Sequence, residues 1–285
     1  MTLPVAAVQL SSQDTIADNL TAVASALAQA QAKQVQLLVL PENFACFAAG
    51  QQRNTAEQFD HIVQTLQQWA QQYGCWIVAG TIPCPYRPNG QIIPDGRVRA
   101  TSLCLDPAGQ IAGRYDKIHL FDVHVGDGTG QYLESATFEA GDQLTVVPTP
   151  FGALGLMVCY DLRFPELALA LRQQGADILT APSAFTHTTG QRHWQLLTRA
   201  RAIDTQCLLI GAAQQGWHGT RQTWGHSIIV DAVGTILAES TEGGFDVKIA
   251  CYDREAQVAQ RHAMPLMEHR HLPLSTALTK DLIHG

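Results

Sequence analysis

Positive charge is sparse and scattered along this chain. Its 285 residues carry 18 Lys and Arg against 25 Asp and Glu, a net charge of −7, and the basic residues form no cluster. Phosphate backbones are gripped by clustered cations, so a nucleic-acid partner is not expected. The acidic residues are equally dispersed and imply no cationic partner. The seven cysteines contain no C-x-x-C pair, and their odd number and irregular spacing fit neither a disulfide framework nor a zinc site. A reducing cytoplasm is the compartment expected. No apolar run approaches the ~18 residues of a membrane span. The start, Met1-Thr2-Leu3-Pro4, lacks a basic region followed by an apolar one, so the reading is a soluble, unexported protein with no membrane partner. Composition has no break either. With 46% hydrophobic and 15% charged residues, positions 1–285 are expected to form a single domain around a large core.

What is present is an alternation of strand and helix signals. Val5 to Leu10 reads as a strand, Asp14 or Thr15 as the cap of a helix to about Gln34, and Leu37 to Leu40 as a buried strand stopped by Pro41. A helix from about Thr55 to Tyr73 precedes a strand from Cys75 to Gly80, and a Pro/Gly-rich loop spans Pro83 to Gly96. Arg99–Leu105 and Gln110–Tyr115 form a hairpin about Asp106-Pro107-Ala108-Gly109. The same pattern returns at Ser227 to Ile236 about Asp231-Ala232-Val233-Gly234, as in two similar halves. Further strands are expected at Leu154–Val158, Asp177–Ala181, Cys207–Gly211 and Val247–Tyr252, and helices after Pro165, over about Gly190–Thr205 and after Asp253. The class is α/β, with two mixed sheets between helical layers.

Three ionisable residues follow strands directly: Glu42, Lys117 and Cys159. If those strands run the same way, the three side chains converge at one sheet end, where open α/β sheets bind their ligands. A carboxylate, an ammonium and a thiol suffice for acyl transfer through a thioester. The carboxylate takes the thiol proton and later activates water, the sulfur attacks a carbonyl carbon, and the ammonium, with the backbone N–H of Tyr160, steadies the oxyanion. Cys159 lies just before Pro165, a first-turn helix residue, so a helix N-terminus is expected to favour its thiolate. This chemistry needs no metal or cofactor. The tail His262, His269, Arg270 and His271 lacks zinc-ligand spacing.

Leu40-Pro41-Glu42, Tyr115 to Asp122, and Val158 to Glu166 together resemble, in order, the three motifs of the nitrilase, or carbon–nitrogen hydrolase, superfamily. The resemblance spans nearly the whole chain. It implies a four-layer α-β-β-α sandwich that pairs into homodimers or larger homo-oligomers, with Glu42 as general base, Lys117 as oxyanion stabiliser and Cys159 as nucleophile. Tyr132-Leu133-Glu134-Ser135 is similar to the segment carrying the family's second glutamate, which makes Glu134 the residue positioning Lys117 and the attacking water. Ser183 to Gly190 with His193-Trp194, Arg199 to Gln206, and Trp224 to Ser227 resemble the deaminated-glutathione amidase branch, which implies a small-molecule amide substrate. The ω-amidase branch shares much of this, but its elbow usually reads R-F-A-E where this chain has Arg163-Phe164-Pro165-Glu166. Tyr160-Asp161 after the cysteine departs from the Trp-Glu of nitrile-hydrolysing members. Ala140 stands where relatives often have Pro. Arg163 is the candidate cation for a substrate carboxylate, or else pairs with Glu166 or Asp161 to fix the elbow. Tyr160, Phe185 and Thr186 are expected to line the pocket, and His193 and Trp194 to pack beside it. The glycine-rich stretch 126–130 is a candidate flap, and the segment from about 262 a candidate oligomer contact. A catalytically silent scaffold on the same fold is the remaining alternative.

Overall fold

The computed structural model describes residues 2–126 and 131–273, so most of the 126–130 flap candidate, and the tail beyond 273, lie outside the described residues. The first half of the chain runs β1 (Thr2–Gln9), α1 (Ile16–Ala32), β2 (Leu37–Val39), α2 (Gln52–Glu57), α3 (Phe59–Tyr73), β3 (Trp76–Val78), β4 (Ile82–Cys84), β5 (Arg99–Leu105), β6 (Ile111–Asp116), β7 (Asp122–His124) and β8 (Gln131–Leu133). The second runs β9 (Val146–Val147), β10 (Ala153–Leu156), α4 (Pro165–Gln173), β11 (Ala176–Thr180), α5 (His187–Thr205), β12 (Leu208–Gly211), β13 (Gln215–His218), β14 (Arg221–Trp224), β15 (Ile228–Val230), β16 (Ile236–Glu239), β17 (Asp246–Asp253) and α6 (Arg254–Ala263).

Two mixed sheets result. One has seven strands in the order β17-β1-β2-β3-β5-β4 with β6 on β5, and the other has six in the order β16-β15-β12-β11-β10-β9. Side chains alternate across each strand, and the inner strands are buried on both faces, each face against a different layer. Val5, Ala7, Leu37 and Val39 face the second sheet, meeting Leu156, Ile178, Ile210 and Ile229. Ala6, Val8, Leu38 and Leu40 face the other way, under Leu20, Val23 and Leu27 of α1 and Ile62 and Leu66 of α3. Leu167 and Leu171 of α4 and Trp194 and Ala202 of α5 cover the outer face of the second sheet. The molecule is therefore the α-β-β-α sandwich that the sequence resemblance implies.

The two hairpins repeat one turn chemistry. Asp106 Oδ1 accepts from the N–H groups of Ala108 and Gln110 at 2.9 and 2.8 Å. Asp231 Oδ1 does the same for Val233 and Thr235 at 3.0 and 2.7 Å. The helix expected over 55–73 is broken at Gln58, because Thr55 and Ala56 of α2 turn inward toward β4 while α3 turns its apolar stripe to the first sheet. Thr15 holds the N-cap position of α1 without a side-chain bond to the helix backbone. Helix α5 starts at His187, ahead of expectation, since the Thr186 hydroxyl accepts from the Thr189 N–H at 3.3 Å. Asp253 caps α6 through the Ala256 N–H at 3.0 Å. Among the described residues no helix is long and apolar enough to cross a membrane.

Candidate active site

Strand direction decides whether Glu42 and Lys117 can meet. β2 and β3 are parallel, β5 runs against β3, and β6 runs against β5, so β2 and β6 point the same way and release both residues at one end. In the second sheet β10, β11 and β12 are mutually parallel. The Leu10 to Gln214 bridge ties the end of β1 to the end of β12, which brings the carboxyl ends of both sheets together.

Close backbone packing fixes the first two residues. At Gly80 a Cβ would lie 1.9 Å from the Pro41 carbonyl oxygen, and at Gly141 one would lie 2.0 Å from that of Asp116. Each glycine thus seats the residue just before Glu42 or Lys117. The Glu42 carbonyl accepts from Gln214 Nε2 at 2.9 Å, and the Lys117 carbonyl from the Gly141 N–H at 2.8 Å. Both side chains are buried. Lys117 Nζ donates to Glu42 Oε1 at 2.9 Å and to both oxygens of Glu134 at 2.9 Å. Glu134 in turn accepts from the Phe121 N–H at 2.6 Å. Burial opposes the Lys117 charge, but Glu134 and Glu42 outweigh it and hold the ammonium well above its ordinary pKa. Burial also raises the Glu134 carboxyl against the pull of Lys117.

Cys159 begins a short 3₁₀ turn, Cys159–Arg163, in a left-handed backbone conformation with φ of 49°, a strained setting for a residue with a Cβ. Asp161 holds the elbow. Its buried carboxylate accepts from the Val158 N–H at 2.9 Å, the Tyr115 hydroxyl at 2.7 Å and the His119 N–H at 3.2 Å, with His119 Nδ1 at 2.7 Å. α4 starts at Pro165, the first-turn position read from the sequence, but the thiolate expected beside it is not the form that the surroundings of the sulfur favour. Burial, and next the negative charge of Glu42, push the Cys159 thiol far up, while Lys117 pulls it down. These surroundings favour the protonated thiol, with the Glu42 side chain beside it.

Glu42, Lys117, Glu134 and Cys159 line one cavity of ≈ 260 Å³, shared with Tyr160, Arg163, Phe185 and Thr186. Tyr160 stands edge-on to Phe121 at 5.0 Å and to Phe164 at 5.3 Å. Phe185 is buried edge-on against Trp194 at 5.2 Å, and Trp194 Nε1 donates to the His226 carbonyl at 2.6 Å, away from the cavity. Arg163 makes no ion pair with Asp161 or Glu166. Its guanidinium lies 5.3 Å from the Phe185 ring centre and 5.9 Å from that of Tyr160, with Nη1 3.2 Å from His193 Nδ1.

Sequence reasoning missed Phe47, Thr189 and Arg221, which also line the cavity. Arg221 comes from the β13–β14 hairpin, whose four-residue strands give little periodic signal. Phe121 and Asp161 lay within recognised motifs, but nothing in the spacing assigned them work.

Residues 4–261 match the family model for carbon–nitrogen hydrolases. A deaminated glutathione amidase of Yersinia enterocolitica is 42% identical over 93% of this chain and 92% of its own length. One from Synechocystis is 41% identical, over 93% and 97%. The crystal structure of Saccharomyces cerevisiae Nit3, described as a member of branch 10 of the nitrilase superfamily, aligns with a TM-score of 0.83 at 32% identity, over 95% of this chain and 97% of its own. The chain belongs to the carbon–nitrogen hydrolase family and is an enzyme that hydrolyses carbon–nitrogen bonds.

Proposed function

We propose that the enzyme hydrolyses the amide of deaminated glutathione, releasing 2-oxoglutarate and cysteinylglycine, as a metabolite-repair reaction that proceeds through a thioester on Cys159. What carries this reading is the grouping of a buried neutral thiol with Glu42 and with an ammonium held by two carboxylates; the names of the relatives supply the substrate.

In the first half-reaction Glu42 takes the proton of Cys159 as the sulfur forms its bond to the amide carbon. The oxyanion that develops is met by the Lys117 ammonium and the Tyr160 N–H. The tetrahedral species collapses as Glu42 passes the proton to the departing nitrogen, the C–N bond breaks, and the amine leaves. In the second, Glu42 takes a proton from water, the hydroxide oxygen bonds to the thioester carbon, and the C–S bond breaks with the proton returned to sulfur. Glu134 keeps Lys117 in place and offers its second face to the water. Arg163 holds the 2-oxo acid carboxylate, with Tyr160, Phe185 and Thr186 around the acyl chain.

The same reading makes positions 1–285 one domain and puts the protein in the cytoplasm, which all seven cysteines, each unpaired, suit. It also pairs the chain into a homodimer, using exposed Leu196 and Ile203 of α5 and the segment from about 262.

Steady-state hydrolysis of deaminated glutathione and of 2-oxoglutaramate, with Cys159→Ala as the blank, tests the assignment. A higher kcat/KM for deaminated glutathione is expected. The reverse order would make the enzyme an ω-amidase with the same site chemistry, and turnover that survives Cys159→Ala would overturn the mechanism.

A further inference from the structure

The cavity holds two guanidiniums, and neither Arg163 nor Arg221 has a carboxylate partner among the described residues. A half-buried cation without a counterion is costly unless an anion arrives to meet it. The two stand in separate settings. Arg163 rests on Tyr160 and Phe185. Arg221 lies 5.0 Å from the Phe47 ring centre and 5.1 Å from that of Tyr132. Phe121 joins the two groups, at 5.3 Å from Tyr132 and 5.0 Å from Tyr160.

Arg221 is fixed for recognition. Its Nη2 donates to the Ala184 carbonyl at 2.9 Å, and the Ala184 backbone is itself hydrogen-bonded to the Cys159 sulfur. The Arg221 Nε is buried and has no hydrogen-bond partner among the described residues, although a guanidinium fork offers Nε–H and an Nη–H side by side to one carboxylate. Two aromatic rings and one peptide carbonyl thus hold a cation whose Nε–H is left unpaired and which no carboxylate meets among the described residues.

We propose that Arg221 reads a carboxylate on the leaving amine, so that the site takes amides anionic on both sides of the scissile bond, with Arg163 on the acyl side. The inference rests on the hydrolysis proposed above and deepens it. Deaminated glutathione has both anions, the 2-oxo acid on the acyl side and the glycine carboxylate on the leaving dipeptide. 2-Oxoglutaramate has only the first, which gives a physical cause for preferring the larger substrate.

The test compares deaminated glutathione with the analogue whose glycine carboxylate is a carboxamide, reading the ratio of kcat/KM within each protein. The wild type is expected to prefer the acid about 10- to 100-fold, the range of a charge-assisted hydrogen bond. Arg221→Gln brings the ratio to about 1, Arg221→Lys keeps part of it, and Arg163→Gln lowers both rates by the same factor and leaves the ratio standing. A wild-type ratio near 1, or a ratio undiminished in both Arg221 variants, overturns the assignment while hydrolysis itself stands. No turnover of either substrate by the wild type defeats the underlying reaction instead.

Discussion

At Cys159 two influences of opposite sign meet on one sulfur. Burial and the Glu42 charge keep the proton on, and Lys117 works to take it off. The enzyme is thus read as one that deprotonates its thiol during attack, in contrast to sites that store a thiolate. Glu42→Gln separates the two effects of that carboxylate. Turnover is expected to fall by about 10²- to 10⁴-fold, the usual contribution of a positioned base. The thiol should become easier to ionise, because a negative charge beside it is gone. Iodoacetamide labelling followed by mass spectrometry reads this directly: the pH at which Cys159 labelling levels off should move down in Glu42→Gln. Cys251 is the one exposed cysteine and would label as well, so the comparison is made in a Cys251→Ser background. An unmoved or raised titration would mean that Glu42 does not face the sulfur as a charge.

Elements place these residues, and two glycines show how little room the placement leaves. Gly80→Ala would put a methyl group 1.9 Å from the Pro41 oxygen at a φ of +32°, so the β2 end that bears Glu42 must move. A loss of about 2 kcal/mol or more in urea unfolding is expected, together with a fall in kcat that exceeds any rise in KM; an active, equally stable variant would show that the β2 end can yield. The strands before Glu42 and Cys159 were legible in the sequence as apolar runs closed by a polar turn, and the one before Lys117 as the second arm of a hairpin. Their common direction was not, since it depends on β5 pairing antiparallel to both β3 and β6. The break at Gln58 left no mark either, because helix propensity continues across it and only tertiary packing divides α2 from α3. The β13–β14 hairpin was invisible for the opposite reason: its strands are four residues long, and Trp217 on one of them is exposed. Arg221 was lost with it.

Seen as a whole, the molecule ties its parts together with buried polar groups, and these should set its response to acid. His218 joins the β13–β14 hairpin to the segment after β1: Nδ1 donates to the Ser12 carbonyl at 2.6 Å, and Nε2 lies 2.8 Å from the Thr223 hydroxyl. Burial pushes its pKa down from 6.5 to about 4, against the Ser12 bond, which favours the charged ring. Glu139 has its pKa lowered from 4.5 to about 2 by the Arg87 hydrogen bond and, against the opposing effect of burial, by Arg99. In both cases the unfolded chain binds the proton at higher pH than the folded one, so stability rises with pH across each interval. The His218 contribution is complete above about pH 6.5 and is lost as pH falls toward 4; that of Glu139 is lost from about 4.5 toward 2. For the almost fully buried imidazole the loss amounts to about 3 kcal/mol. Urea midpoints measured between pH 7.5 and 4.5 should therefore decline, and His218→Gln, which cannot take up the proton, should flatten the slope whatever its stability at neutral pH. An unchanged slope would move the acid response to other groups and leave His218 as a packing residue. Ser12 also meets Gln214, which holds the Glu42 backbone, so protonating His218 should loosen the same corner that positions the Glu42 carboxylate, and activity should fail in the same pH interval as stability.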